Sequence, residues 1–354
     1  MKIVTIVGAR PQFIKAAPLS RVLRREHREV LVHTGQHYDD EMSAVFFREL
    51  GVPAPDYNLG VGSGPHGQQT GEMLKGIEEV LQGEQPNGVL VYGDTNSTLA
   101  GALAAAKMHI PVAHVEAGVR SCNRAMPEEV NRVLTDQMAR LLFCPTPSSV
   151  ENLRREGVTQ GVHYVGDVMR DAQLLFFPVA QRRSSILEKV GLQRQRYALL
   201  TVHRPETVDC DERLTRLMAA VARLDLPIVF PVHPRTRKRL AALGLLESLG
   251  ARATVLPPVG YLDMLLLQGG ARAVLTDSGG VQREAHYLSV PSIILRNETE
   301  WPELVEVGAS RLVGEDFCEL NTELLMASKP VAPCALFGEG EASRKIARQL
   351  SGLA

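Results

Sequence analysis

The chain has 354 residues, of which 45% are hydrophobic and 22% charged, with 39 Lys plus Arg against 40 Asp plus Glu. That length accommodates two domains with separate cores, and the composition excludes a disordered or fibrous chain. A formal net charge of −1 supplies no global field to recruit nucleic acid or an acidic membrane, and no apolar run reaches the ~18 residues that span a bilayer.

The first segment, MKIVTIVGARPQ, predicts a strand over Lys2–Val7. Its apolar run is too short for a secretory signal and breaks at Gly-Ala-Arg-Pro. A helix is predicted over Pro11–Arg25, with Arg10 before its proline and Lys15 about a turn further on. Two cations beside a helix N-terminus suit an anion, although a solvated helix start explains them equally well. The strand Glu29–Val32 ends in Thr34-Gly35-Gln36-His37, where His37 reads as a polar loop histidine. No GxGxxG follows this first strand and no P-loop occurs anywhere in the chain, which argues against a tightly held dinucleotide or an ATPase.

Val89–Tyr92 leads through GDTNST into an alanine-rich helix over Ser97–Lys107, placing Asp94 at a strand end with Asn96 and Ser97 as candidate caps. The strand Pro111–Val115 delivers Glu116 to its carboxyl end, followed by Arg120 and Ser121. Pro127-Glu128-Glu129 opens the next helix, where acids ordinarily complement the dipole. Yet Asp94, Glu116 and Glu128 all belong to one side of the same sheet, and converging carboxylates can supply general acid and base groups.

After Leu142–Cys144 and His163–Val165 the chain turns mixed and polar near Gly166–Gln181, the expected domain boundary. A second series of strands runs through Tyr197–Val202, Pro227–Val232, Thr254–Leu256, Ala273–Leu275 and Ser292–Leu295, with helices such as Asp211–Arg223 between them. Short apolar runs without alternation, separated by amphipathic helices, indicate parallel sheets covered on both faces, and two series indicate two doubly wound α/β domains. His203 and His233 fall at strand ends in this half. Residues 276–285, TDSGGVQREA, form a strand-to-helix turn with Asp277 or Ser278 as N-cap. Ser278-Gly279-Gly280 leaves backbone N–H groups that suit a phosphate, and Glu284 stands one turn later, placed to meet ribose hydroxyls or merely to offset the dipole. The five cysteines (Cys122, Cys144, Cys210, Cys318, Cys334) are odd in number and lack CxxC spacing, which argues against a disulfide framework or a zinc site and suits a reducing cytoplasm.

GARPQFIK, TGQH, GDTNSTLAGALAA, HVEAGVRS, PEEVNR, HPRT and TDSGGVQREA, with the His203-Arg204 strand end, occur in an order that resembles the non-hydrolysing UDP-N-acetylglucosamine 2-epimerases. RNETEWPELVEVG and GEGEASRKIARQL extend the resemblance over essentially the whole chain. It implies a GT-B-like fold of two Rossmann-like domains, residues 1–168 and a UDP-binding domain 169–339, with a helix near 340–354 crossing back to the first. The site is then expected in the interdomain cleft, in a cytoplasmic homodimer that serves polysaccharide supply without redox cofactor or metal. Carried over, Asp94, Glu116 and Glu128 match the family's catalytic carboxylates, with His203 beside the phosphates. Arg10, Lys15, His203, His233, Ser278, Gly279, Gly280 and Glu284 would bind the UDP-sugar.

The sequence departs from the family's T-E-R-P-E at Thr299-Glu300-Trp301-Pro302-Glu303, where the chain's only Trp replaces a ligand-contacting Arg. TEW resembles relatives acting on UDP-2,3-diacetamido-2,3-dideoxyglucuronate. Arg283, where an acid is common, either replaces the charge or faces solvent. The QHRxM-like and HRxEN segments of allosteric members read Gln36–Met42 and His203–Thr207 here, which points to an enzyme without substrate activation. The competing readings are a hydrolysing epimerase, a GT-B glycosyltransferase, for which three carboxylates would be surplus, and a non-catalytic nucleotide-sugar sensor.

Overall fold

A computed structural model describes residues 1–36, 50–249 and 253–353; His37 and the rest of the segment up to Met42 lie outside them. The chain divides into two compact units, Met1–Leu175 with Ala335–Ala354, and Phe176–Cys334. Among the described residues no helix is long and apolar enough to cross a membrane.

Among the described residues the first unit holds seven parallel strands: β1 (Lys2–Val7), β2 (Arg28–His33), β3 (Tyr57–Asn58), β4 (Gly88–Tyr92), β5 (Val112–Val115), β6 (Leu141–Cys144) and β7 (Val162–Tyr164). Their order across the sheet is β3-β2-β1-β4-β5-β6-β7. The connecting helices are α1 (Arg10–Glu26), α2 (His66–Glu84), α3 (Asn96–Lys107), α4 (Pro127–Met138), α5 (Pro147–Arg155) and α6 (Val168–Arg183), the last running on into the second unit's segment. Val4, Ile6, Val30, Val32, Val89 and Val91 pack with Met73, Ile77 and Leu81 of α2 and Ala100 and Ala104 of α3. Each Val, Ile, Leu or Met among them, fully buried, contributes about 1.5–3 kcal/mol.

The second unit repeats the plan with β8 (Ala198–Thr201), β9 (Ile228–Pro231), β10 (Ala253–Leu256), β11 (Ala273–Thr276), β12 (Ser292–Ile294) and β13 (Ser310–Leu312), ordered β10-β9-β8-β11-β12-β13. Its principal helices are α7 (Asp211–Ala222), α8 (Pro234–Ala242), α9 (Tyr261–Gly270) and α10 (Gly279–Tyr287). Leu200, Phe230 and Leu275 enter one core, while their neighbours Leu199, Val229 and Val274 enter another. A strand buried on both faces has no use for polar alternation, which is why these runs read as continuous apolar stretches.

The last helix, α11 (Ala342–Leu350), packs against α1 of the first unit. Its first-turn N–H groups, at Ala342 and Ser343, donate to the carboxylate of Asp171 on α6 at 3.2 and 2.7 Å. Burial pushes that carboxyl above its ordinary range, against the pull of the two amides.

Candidate active site

In each sheet the connections diverge between two adjacent strands, β1 and β4 in the first unit and β8 and β11 in the second. The crevice outside the carboxyl ends of such strands is where doubly wound sheets bind ligands. In the first unit the sequence-predicted residues follow β1, β4 and β5 or open α4, and in the second they follow β8, β9 and β11 or lie in α10.

In the first unit, Gly8 and Ala9 follow β1, and their N–H groups donate to Gln12 Oε1 at 2.7 and 3.0 Å. Charge at this turn therefore comes from side chains. Arg10 is half-buried at the first position of α1. Lys15, one turn on, is buried and its Nζ lies 2.8 Å from Glu116 Oε2. Glu116 follows β5 in the left-handed region at φ 73°, a conformation that costs a non-glycine residue about 1–3 kcal/mol. Its N–H and that of Ala117 are both anchored on the Phe143 carbonyl at 3.1 Å.

Asp94 follows β4, and the cap of α3 is Thr95, whose side chain accepts from Thr98 N–H. Asn96 and Ser97, read as candidate caps, lie instead inside the first turn and are buried. Ser97 Oγ is engaged by Gln36 Oε1 at 2.7 Å and Thr34 Oγ1 at 2.8 Å, which is why it does not cap. Asp94 Oδ2 pairs with Arg132 Nη2 at 2.6 Å, and the Asp94 carbonyl accepts from Asn131 Nδ2 at 2.8 Å.

The two adjacent acids that open α4 part company. Glu129 is buried and accepts from Ser121 N–H at 2.9 Å, Cys122 N–H at 3.1 Å and Arg132 Nη1 at 2.9 Å, so it fixes the loop after β5. Glu128 is half-buried and has no hydrogen-bond or ion-pair partner among the described residues. Asn131 and Arg132 went unnoticed in the sequence although PEEVNR contains both.

A buried network lies beneath. His114 of β5 places Nδ1 2.7 Å from Asp136 Oδ1 and Nε2 2.7 Å from the Gly93 carbonyl oxygen. Asp136 Oδ2 accepts from Gly118 N–H at 3.0 Å and pairs with Arg120 at 2.7 Å, and Arg120 also pairs with Glu156 at 2.7 Å. Burial would raise the Asp136 carboxyl, but His114 and Arg120 beside it hold it below the usual carboxylate range. Sequence reading missed His114 and Asp136 because an apolar strand with one histidine looks like plain core.

In the second unit His203 follows β8, His233 follows β9 and the Ser-Gly-Gly turn follows β11. Ser278 is the N-cap of α10, its hydroxyl accepting from Val281 N–H. Asp277, the other cap candidate, is wholly buried and reaches back to β8. Its Oδ2 accepts from the N–H groups of His203 and Arg204, each at 2.9 Å, and Oδ1 lies 3.1 Å from His203 Nδ1. The imidazole is thereby oriented by a carboxylate while nearly half exposed, at 46%. His233 caps α8, its Nδ1 accepting from Arg235 N–H at 3.3 Å. Glu284 is buried and accepts from Gln268 Nε2 of α9 at 2.9 Å, a partner the sequence did not suggest.

The Gly279-Gly280 turn is backed by a packed charge cluster. Arg296 holds Glu300 through two contacts of 3.0 Å, and Arg204 Nη2 adds a third at 3.0 Å. Arg283 does not face solvent: it is buried with its guanidinium 3.9 Å above the Trp301 ring, a cation–π contact. A Cβ at Gly279 would sit 3.0 Å from Trp301 Nε1 and 3.1 Å from Glu300 Oε2. Neither neighbour is free to retreat. Gly279→Ala is therefore expected to cost about 1–3 kcal/mol through overpacking, read by a thermal melt.

Residues 21–351 match the UDP-N-acetylglucosamine 2-epimerase family. The chain is 50% identical over its full length, and over the full length of the relative, to a UDP-N-acetylglucosamine 2-epimerase homolog of Methanococcus maripaludis. It is 47% identical, again over both full lengths, to the UDP-2,3-diacetamido-2,3-dideoxy-D-glucuronate 2-epimerase of Pseudomonas aeruginosa. The crystal structure of Methanocaldococcus jannaschii UDP-GlcNAc 2-epimerase in complex with UDP-GlcNAc and UDP superposes with a TM-score of 0.93 at 44% identity, covering 99% of this chain and 100% of that one. With two Rossmann-like parallel sheets, strand-end carboxylates paired to cations, and this agreement along nearly its whole length, the chain belongs to the UDP-N-acetylglucosamine 2-epimerase family.

Proposed function

We propose that the protein interconverts UDP-N-acetylglucosamine and UDP-N-acetylmannosamine by elimination and readdition of UDP. The C2 proton of the sugar is not adjacent to a carbonyl, so simple deprotonation is too costly. Elimination avoids that difficulty: a base takes the C2 proton, the C1–O bond breaks with its electron pair leaving on UDP, and C1=C2 forms in a 2-acetamidoglucal. A proton delivered to the opposite face of C2, with return of the UDP oxygen to C1, completes the inversion. This chemistry needs proton donors and acceptors for two faces, and fixed positive charge for the departing diphosphate.

The observation that carries the reading is the pairing of Asp94 with Arg132 and of Glu116 with Lys15 at the carboxyl end of the first sheet. Together with Glu128 they supply the proton-transfer groups. In the second unit, Ser278, Gly279 and Gly280 offer a helix N-terminus to the diphosphate, and His203, oriented by Asp277, adds a donor. His233 lines the neighbouring strand end of that unit, and Glu284, oriented by Gln268, accepts from the ribose; in the first unit Arg10 and Lys15 bring positive charge.

A second substrate has a specific observation behind it. Trp301 stands where the family's Arg is common, with Arg283 over its ring, and one full-length relative is named for the 2,3-diacetamido glucuronate sugar. Proton NMR in D2O discriminates, with each UDP-sugar in its own tube. Deuterium entering C2 as the manno isomer appears establishes elimination and names the sugar. Free sugar accumulating with UDP would identify a hydrolysing enzyme instead, and two unchanged spectra would leave a transferase or a binding protein.

A cytoplasmic homodimer accords with a UDP-sugar substrate and with Val130 and Leu134, which are 43% and 46% exposed one turn apart on α4. Light scattering at twice the chain mass is the expected result.

A further inference from the structure

We propose that His114 is a buried imidazolium that positions the Gly93–Asp94 turn for catalysis, an inference whose second half rests on the epimerase reading above. Its charge follows from what its two nitrogens face. Nε2 lies 2.7 Å from the Gly93 carbonyl oxygen, which can only accept, so Nε2 carries a proton. Nδ1 lies 2.7 Å from Asp136 Oδ1. The other oxygen of that carboxyl already takes the Gly118 N–H and the Arg120 guanidinium, two donors that favour the carboxylate anion. An ionised Asp136 can only accept, so Nδ1 carries a proton as well. The ring is fully buried and its hydrogen bonds are charge-assisted at both ends.

The surroundings balance that charge. Asp136 comes from α4, Arg120 from the loop after β5, and Glu156 from the residue after α5, so two cations meet two anions. On β6 the Cys144 thiol is buried and pushed far above its ordinary range by that burial and by Asp136, so it remains neutral. On α1, Lys15 reaches within 3.1 Å of the place a Cβ on Gly93 would occupy, but its charge is spent on Glu116. Asp94 is matched by Arg132. A buried cation needs a partner carboxylate close by, and Asp136 supplies it at 2.7 Å.

The cation's other end holds the turn. Gly93 has φ 62°, and its N–H donates to the Val115 carbonyl at 2.9 Å while its carbonyl receives His114. Both polar atoms of Gly93 are therefore tied to β5, and the next residue is Asp94. His114 does not reach the sugar in this reading. It acts as a positioning residue by fixing the peptide from which the Asp94 carboxylate departs.

The test uses the full chain with 15N-labelled histidine rings. At pH 8 one ring is expected to show a bonded proton on each nitrogen, both slow to exchange with D2O, and this signal is absent from His114→Gln. In Asp136→Asn the ring is expected to revert to a single protonated nitrogen. His114→Gln leaves Gly93 at most a neutral amide donor and loses the anchor on Asp136 that holds the ring in place, so the peptide that carries Asp94 is no longer fixed: KM is expected within about twofold of wild type, with kcat falling about 10–100-fold, the loss that a small misplacement of a reacting group produces. A wild-type ring with one bare nitrogen at pH 8 would overturn the charge assignment. A folded His114→Gln protein with unchanged kcat would overturn the positioning role. If His114→Gln does not fold, Asp136→Asn carries the ring test and its kcat carries the positioning test. Failure of the wild-type protein to epimerise either sugar would remove the catalytic reading and leave the ring spectrum as found.

Discussion

The Glu116→Gln protein is expected to fold normally and to lose about 10²–10⁴ of its epimerisation rate, the range supplied by a positioned proton-transfer group. Glutamine matches glutamate in shape and keeps an oxygen for Lys15 Nζ, now 2.8 Å from the carboxylate. The backbone of residue 116 is anchored through the Phe143 carbonyl, whichever side chain it carries. The variant therefore loses a charge and a proton acceptor. Lys15→Met makes the opposite change, leaving a buried carboxylate without its cation, so it should destabilise the fold by about 3–5 kcal/mol as a broken buried pair does. The double variant should recover part of that stability and none of the rate, because the two side chains are in contact and their effects do not add. Deuterium incorporation at C2 reads the first effect and a urea titration the second. Full exchange activity in Glu116→Gln would reduce Glu116 to an ion-pair partner.

Asp277→Ala should be the most damaging single change in the second unit. It removes the acceptor of two backbone N–H groups, at His203 and Arg204, and the carboxylate beside His203 Nδ1. Both bonds are only part-buried, so the loss expected is about 1–3 kcal/mol, together with weakened UDP binding. Burial would raise the Asp277 carboxyl, but His203 and the two amides hold it below the ordinary carboxylate range. The sign for stability follows from that lowering. The native state binds this proton less readily than the unfolded chain, so the contribution is complete above an unfolded value of about 4. It is lost as pH falls through the lower native value. Asp277→Ala should therefore flatten the acid limb of the stability curve and leave its slope near neutrality unchanged. An acid limb identical to wild type would show that other carboxyls carry it.

Both sheets were legible as unbroken apolar runs, because strands such as Leu199–Leu200 are buried on alternate sides in separate cores. The edge strands β3 and β13 were not: Tyr57–Asn58 is exposed and two residues long, and Ser310–Leu312 offers one fully buried position. Neither carries enough periodicity to register. Strand-end residues could be found because topology alone decides that Asp94, Glu116, His203 and Ser278 share carboxyl edges. What each side chain touches depends on residues distant in sequence, and there the reading ran out. Asp94 meets Arg132, 38 positions away, and Asp277 meets His203, 74 positions away. The Glu128–Glu129 pair shows the limit most clearly. Successive helical residues point about 100° apart, so one acid turns into the loop and the other does not, and no local pattern announces which.

The first unit is built from two separated stretches of chain, while the second is continuous from Phe176 to Cys334. Ala342 and Ser343 supply the amides that Asp171 accepts, and Leu353 approaches Gly88, where an added Cβ would lie 2.7 Å from its Cδ1. Seen from the ribosome, the second unit is complete in the nascent chain before the first has received its closing helix. The early half of the protein must therefore wait in an unfinished state through the synthesis of the later half, with the face of α1 that α11 will cover still bare. Cotranslational quality control would act on that interval, so a stop codon just after Cys334 would strand the first unit and spare the second.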